Sequence, residues 1–170
     1  MTRADAFGVF FSRALKIMAT LCRRAGLLVM LLGFSVGLAQ AQSPVGEWRT
    51  IDDDTGDAVS IVEIYEENGK LYGKVKEILV PNDDAPTNED GQIICEACDG
   101  ERANQPIEGM VIMEGLEQDG DRWTGGRILD PQSGREYRVR LEFEDENLKV
   151  RGYVGIAAFG RTQVWHPADG

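Results

Sequence analysis

The sequence predicts an all-β protein, an antiparallel up-and-down barrel of about eight strands that follows an N-terminal leader. Turn-forming pairs such as Asn68-Gly69 and Asp119-Gly120 recur at short spacing and tolerate the positive φ of tight hairpin turns. Between the turns, apolar and polar residues alternate with a period of two, and no stretch after residue 42 has the pattern of an amphipathic helix. Strands in this number and order favour a closed barrel, because closure removes both exposed sheet edges, and a two-sheet β-sandwich is the alternative.

Residues 1–41 have the three parts of a signal peptide. A basic region is followed by an apolar stretch over 25–38 and by the small-x-small sequence Ala39-Gln40-Ala41. We expect cleavage after Ala41 and a periplasmic or secreted product without a membrane span in its mature form, since the apolar stretch is short for a bilayer. A start at Met18 would give a leader of more ordinary length, and a retained anchor is the alternative interpretation.

Residues 42–170 are expected to form a single domain, because 129 residues suffice for one hydrophobic core. This part carries thirteen basic and 28 acidic residues, a net charge of −15. Such a domain has no basic stripe with which to neutralise phosphates, and an anionic membrane surface would repel it. We therefore expect no nucleic-acid partner.

Eight segments are predicted as strands, in the order 46–51, 59–66, 70–79, 107–116, 122–129, 135–143, 147–156 and 160–166. The first starts at Gly46 and ends before the turn residues Asp54-Thr55-Gly56. The second and third flank Asn68-Gly69. The third presents Leu71, Gly73 and Val75 on one face, which is the alternation expected of a half-buried strand.

The later segments follow the same rules. The fourth and fifth flank Asp119-Gly120, and the sixth follows a turn over 130–134. The sixth and seventh present apolar faces formed by Tyr137, Val139, Leu141 and Phe143 and by Leu148, Val150, Gly152 and Val154. The eighth segment completes the barrel, so we expect these apolar faces to point into its interior.

One connection, over 81–106, is much longer than the others. It is rich in Asp, Asn, Pro and Gly, and it contains Cys95 and Cys98, the two cysteines that follow the leader. Loops of this length are usually either functional or disordered.

Seven stretches of the chain resemble, in order, the bacterial secreted family DUF2147. They are Gly46-Glu47-Trp48-Arg49-Thr50, 60–73, Cys95-Glu96-Ala97-Cys98, 106–110, 126–131, 148–153 and 159–165. The resemblance implies an exported, compact β-domain. It implies no activity, catalytic residue or cofactor, since none is established for the family.

A second similarity concerns the fold. The sequence Gly46-x-Trp48 at the head of the first strand, with Arg161 in the last strand, is similar to the lipocalin arrangement, in which the tryptophan plugs one end of the barrel beneath an arginine. The similarity implies a structural end-plug made of Trp48 and Arg161, with the guanidinium on the indole ring. Trp48 as a plain core residue is the alternative, and the two roles are compatible. Fold similarity alone does not imply a function.

Cys95 and Cys98 form the sharpest chemical feature of the sequence. In an oxidising compartment we expect a disulfide. Zinc would need two more ligands, and the sole histidine, His166, lies at the far end of the chain. Thiol exchange is disfavoured by the negative charge of Glu96 and Asp99, which opposes a thiolate, and free thiols are the remaining alternative. We expect no metal and no cofactor.

Catalytic signatures are weak. The acidic clusters at 52–57, 83–84 and 142–146 do not match the twelve-residue calcium loop, and we interpret them as solvated turn residues. There is no Gly-x-Ser-x-Gly nucleophile elbow, and no glycine-rich loop opens a helix. We assign no catalytic residues and lean against an enzyme.

Two hypotheses for function remain. In the first, the protein is exported to the envelope and binds a small apolar ligand inside the barrel, against Leu71, Val75, Val139, Leu141, Val150 and Val154. In the second, it is a non-enzymatic interaction or structural module of the envelope with a filled barrel, and its long loop and acidic exterior contact another protein. The low number of aromatic residues favours a cavity.

Overall fold

A computed structural model describes residues 42–81 and 84–169, so the predicted signal peptide and its cleavage site lie outside the described residues. The described part is a closed antiparallel barrel of eight strands in sequence order. The predicted fold class is therefore confirmed, and the β-sandwich alternative is excluded. No helix within these residues combines the length and the apolarity needed to cross a bilayer.

The strands are β1 (Gly46–Ile51), β2 (Ala58–Glu67), β3 (Lys70–Ile78), β4 (Val111–Asp119), β5 (Arg122–Asp130), β6 (Arg135–Glu144), β7 (Asn147–Tyr153) and β8 (Gly160–Pro167). Each strand pairs with the next in the chain. The barrel closes where β1 pairs with β8, with Trp48 opposite Pro167 and Arg49 opposite His166. A short 3-10 helix, Gly100–Arg102, lies in the connection between β3 and β4.

Three strand boundaries differ from the prediction by three or four residues, and the other differences are of one residue; β4 ends at Asp119 and not at 116. β4 begins at Val111 and not at 107, because the preceding residues form a turn in which Gly109 has a φ of 87° and its N–H donates to the Val75 carbonyl. β7 ends at Tyr153 and not at 156. The chain turns there at Gly155, whose φ is 74°, and leaves the sheet as a loop.

Because successive strands are antiparallel, alternate connections share one end of the barrel. The turns at 68–69, 120–121 and 145–146 lie at one end, which we call the closed end. The turn at 52–57, the connection 79–110, the turn 131–134 and the loop 154–159 lie at the other end, which we call the mouth. The long connection contains short bridges between Thr87 and Ile93 and between Ile94 and Pro106, so it has local order of its own.

Aromatic side chains pack the closed end. The ring of Phe143 lies 6.0 Å from that of Trp48 and 5.9 Å from that of Trp123, both within the range of favourable aromatic contacts. The Trp48 indole N–H donates to the Pro44 carbonyl at 2.8 Å. Pro44 is itself buried, so the segment before β1 packs against this end. This half of the barrel is filled with side chains.

Candidate functional site

A cavity of about 750 Å³ occupies the half of the barrel towards the mouth. All eight strands contribute to its wall, and the connection 79–110 contributes side chains from above. The volume lies in the range of small-molecule sites, which are typically about 300–1,000 Å³.

The deep wall of the cavity is apolar. Val75, Val150 and Trp165 are buried there, and Ile112 and Leu129 are further buried residues that line the cavity. Gly152 also faces the cavity, and a Cβ built there would lie 3.7 Å from the Tyr137 Cβ and 3.9 Å from the Ile128 Cγ2, which are ordinary contacts. A Cβ at Gly152 would therefore meet only ordinary van der Waals contacts, and it would point into the cavity.

A few polar groups interrupt the apolar wall. The Thr50 and Ser60 hydroxyls lie 2.6 Å apart, one on β1 and one on the facing residue of β2. On β8, the indole N–H of Trp165 donates to the Gln163 side-chain oxygen at 3.4 Å. An apolar chamber with a small number of fixed polar groups is typical of sites that bind and orient a small molecule.

The connection 79–110 is fastened to the β5–β6 turn. The Cys95 and Cys98 sulphurs lie at disulfide-bonding distance, with a Cα–Cα separation of 5.4 Å, and Cys95 Sγ lies 3.2 Å from the Pro131 carbonyl oxygen. Gly134 packs against the backbone between the cysteines so closely that a Cβ would lie 1.8 Å from the Ala97 carbonyl oxygen. Only glycine fits this contact, and its φ of 67° also favours glycine.

Ion pairs hold the same connection to the outer wall. The guanidinium of Arg102, in the 3-10 helix, pairs with Glu136 on β6 and lies 3.6 Å from a carboxylate oxygen of Glu114 on β4. Within the connection, the Cys95 N–H donates to Gln105 and the Asn104 N–H donates to Cys95, each at 2.9 Å. Residues 93–107 of the connection, five of which line the cavity, are therefore ordered, and we call them the cover.

The loop 154–159 presents apolar side chains to solvent beside the opening. Val154, Ile156 and Phe159 have exposed fractions of 69%, 62% and 77%. Arg151 holds the loop from β7, since its guanidinium donates to the Ala157 carbonyl at 2.6 Å and to the Ala158 carbonyl at 3.2 Å. Val154 and Phe159 also line the cavity, so its wall is continuous with an apolar rim.

The predicted interior residues divide into three groups. Val75 and Val150 are buried and line the cavity. Leu71, Val139 and Leu141 are buried in the packed core and do not line it. Val154 is not an interior residue: β7 ends one residue earlier, so the period of two no longer directs its side chain inwards, and it lies exposed at the rim.

The structure does not bring Trp48 and Arg161 together. Trp48 is buried at the closed end, whereas Arg161 begins β8 at the mouth and its Nε and Nη2 each lie 2.7 Å from a carboxylate oxygen of Asp53. Arg161 lies six residue steps along β8 from Pro167, the partner of Trp48, which corresponds to about 20 Å of strand. The predicted stacking of this guanidinium on the indole is therefore wrong, because the arginine lies at the other end of the barrel.

The histidine and the cysteines are also at opposite ends. His166 Nδ1 lies 2.8 Å from the Asn147 side-chain oxygen at the closed end, far along the barrel from Cys95 and Cys98. Among residues 42–81 and 84–169, no three His, Cys, Asp or Glu side chains converge as metal ligands would. In the turn 52–57, Asp52 accepts the Asp54 and Thr55 N–H groups at 2.9 Å, so this acid organises the turn.

Several lining residues were not identified from the sequence. Gln163 and Trp165 stand on the same face of β8 as Arg161, and the period of two could have placed all three on the cavity side. Thr50 and Ser60 gave no such signal, because small hydroxyl residues are equally common on the outer face of a strand.

Comparisons with known proteins agree with this architecture. The family model described as "Uncharacterized protein conserved in bacteria (DUF2147)" matches residues 46–167. Protein HP1028 from the human pathogen Helicobacter pylori, a structure described as belonging to the lipocalin family, is similar with a TM-score of 0.60 and 20% sequence identity. The similarity covers 74% of this chain and 82% of that one, and at this identity it shows the fold alone. A comparison with curated protein sequences gave no match.

Proposed function

Since this chain belongs to the DUF2147 family and has a lipocalin-like barrel, we propose that it binds a small apolar ligand in the cavity at the mouth, and that it does so in the bacterial envelope. The observation that carries the proposal is the apolar chamber of about 750 Å³ between the packed closed end and the ordered cover. Eight-stranded barrels of this kind have room for side chains or for one small ligand. The location in the envelope rests on the predicted signal peptide.

Apolar surface in the wall can supply the free energy of ligand binding. Burial of apolar surface contributes roughly 25 cal/mol per Å², so a ligand that buries about 300 Å² gains about 7 kcal/mol before the costs of association. The deep wall offers Val75, Val150 and Trp165 as contacts that are already buried and ordered. A preformed wall lowers the cost of ordering side chains on binding.

Titration of the mature chain with the neutral fluorescent probe N-phenylnaphthylamine tests the proposal. In the wild type we expect a saturable increase in probe fluorescence, with about one probe bound per chain. In Gly152→Leu, whose side chain would occupy the cavity, the affinity for the probe should fall at least tenfold. The matched control is Thr124→Leu, which introduces the same residue type at a β5 position that does not line the cavity. Equal binding by all three proteins would place the probe elsewhere and contradict the proposal.

The second candidate function is an interaction module. The observation in its favour is the exposed apolar loop that carries Val154, Ile156 and Phe159. If this loop contacts a partner protein, Gly152→Leu should bind that partner as tightly as the wild type does. No saturable probe binding in the wild type, with the barrel folded, would favour this candidate over the first.

A further inference from the structure

The charged side chains of the cavity are concentrated at the mouth and are mostly acidic. Among the described lining residues, four carboxylates face one guanidinium: Asp52, Asp84, Glu96 and Asp130 against Arg161. They come from the β1–β2 turn, the connection 79–110 and the end of β5, so they surround the opening from three sides. The charge of Arg161 is offset by Asp53, which accepts from it at 2.7 Å. The opening is therefore net negative.

Hydrogen bonds fix the position of two of these carboxylates, Asp52 and Asp130. The backbone N–H groups of Thr55 and Asp54 lower the pKa of Asp52 below its ordinary value of 3.8. Asp130 accepts from the Gln132 N–H at 3.1 Å and from the Ser133 hydroxyl at 2.6 Å. The Thr55 and Asp54 donors stabilise the anionic form of Asp52. Near neutral pH the opening thus presents fixed negative charge to whatever enters the cavity.

Below this level most of the wall is apolar, with Trp165, Val75 and Val150 among its buried side chains, and Thr50, Ser60 and Gln163 are the polar residues in it. The separation of charge and apolar surface along the axis imposes an orientation on a ligand: an apolar body lies in the chamber and a polar head remains at the opening. A positive head meets attraction there, while a carboxylate or sulfate head meets like charge.

We propose that the cavity is selective for cationic amphiphiles, molecules with an apolar body and an amine or quaternary ammonium head, and that the carboxylates at the mouth repel anionic ones. The inference rests on the proposed function, because the cavity is the binding site and the carboxylates set only its charge preference. Asp52, Glu96 and Asp130 are the specificity-determining residues.

The test uses three ligands, decylamine, decanol and decanoate, which share a ten-carbon chain and differ in the head group. The affinity of each is measured by displacement of N-phenylnaphthylamine from the mature protein at pH 7 and low salt. We expect decylamine to bind roughly tenfold or more tightly than decanoate, with decanol between them, because several unit charges act over about 5–10 Å. In about 0.5 M salt the three affinities should converge, since the screening length falls to only a few ångströms.

Two variants assign the effect to the mouth. Glu96 is exposed and lies on the cover, so Glu96→Gln should weaken decylamine binding by about twofold without altering the fold. The triple variant Asp52→Asn, Glu96→Gln, Asp130→Asn should weaken it by about tenfold, improve decanoate and leave decanol unchanged, which also reports that the cavity is intact. The matched control is Glu146→Gln, which removes one charge from the turn at the closed end and should change nothing.

The outcomes separate the two proposals. If decanol binds and decylamine and decanoate bind equally, or if decanoate binds more tightly because it displaces Asp53 from Arg161, the selectivity inference is overturned and the proposed function stands. If none of the three displaces the probe or binds directly by calorimetry, the cavity is not a site for apolar ligands and both proposals fail.

Discussion

Replacement of Gly134 by alanine should release the cover from the barrel. Gly134 has a φ of 67°, and a Cβ there would lie 1.8 Å from the Ala97 carbonyl oxygen and 2.5 Å from the Ala97 carbonyl carbon. Gly120, in the turn at the closed end, has nearly the same φ, 66°, but a Cβ there would meet nothing within 4 Å. The pair separates the cost of backbone conformation from the cost of the contact.

The magnitudes follow from this geometry. Alanine in a left-handed conformation costs about 1–2 kcal/mol, and Gly120→Ala should lose that amount of unfolding free energy. Gly134→Ala incurs the same cost, and in addition Ala97 must retreat by more than 1 Å, since Cβ contacts under 3.0 Å are essentially never found. Overpacking of this kind costs roughly a further 1–3 kcal/mol. We expect a total of about 2–5 kcal/mol for Gly134→Ala.

Urea unfolding followed by circular dichroism gives both free energies, and hydrogen exchange shows where the structure has loosened. In Gly134→Ala the amides of Cys95 and Asn104, which bond within the connection, should exchange faster than in the wild type. In Gly120→Ala they should be unchanged. Equal losses of stability in the two variants, or unaltered exchange in Gly134→Ala, would refute the view that the β5–β6 turn holds the cover in place.

Three further perturbations test other parts of the structure. Trp48→Ala removes a buried indole from the closed end and should cost about 3–5 kcal/mol in urea unfolding, whereas a loss below about 1 kcal/mol would mean that this end is not tightly packed. The double variant Cys95→Ser, Cys98→Ser opens a four-residue ring and should cost only about 2 kcal/mol by the loop-entropy relation, measured the same way, and a loss of the folded state would contradict this. The folded-state pKa of Asp52 is lowered by the Thr55 and Asp54 N–H groups, so its stabilising contribution is present above its unfolded pKa of about 3.8 and is lost as the pH falls through the folded value. An NMR titration should place this carboxyl below 3.8, Asp52→Asn should weaken the acid dependence of stability, and a titration midpoint at or above 3.8 would exclude the proposed hydrogen bonding.

The strand order followed from local chemistry because turn residues and the period of two are properties of short segments. Asn68-Gly69 has positive φ at both positions in the structure, as a tight hairpin requires. The boundary of β4 was missed because Ile107 and Met110 are apolar and read as strand residues, while their backbone actually turns to meet Val75 from β3. That contact joins residues more than thirty positions apart in the sequence, so it cannot be predicted from the local pattern.

The candidate site was only partly predictable for the same reason. Alternation correctly put Val75 and Val150 on the inner face, but it could not say at which height along the barrel the packed core gives way to a cavity. Arg161 was assigned to the wrong end because the lipocalin similarity was followed and not the strand order: in an up-and-down barrel of eight strands, the eighth strand starts at the end opposite to the start of the first. The cover belongs to the connection 79–110. Its position depends on Gly134 and on the contact of Cys95 with Pro131, which lie more than thirty residues further along the chain.

Native and denaturing mass spectrometry of the protein, purified without refolding from the cells that produce it, tests whether the cavity is a ligand site. We expect an extra mass of a few hundred daltons on the native wild-type chain, in keeping with a cavity of about 750 Å³, that disappears on denaturation and is absent from Gly152→Leu. The same extra mass on wild type and Gly152→Leu, or a bare wild-type chain that also fails to bind N-phenylnaphthylamine, would contradict the claim that the cavity is a ligand site.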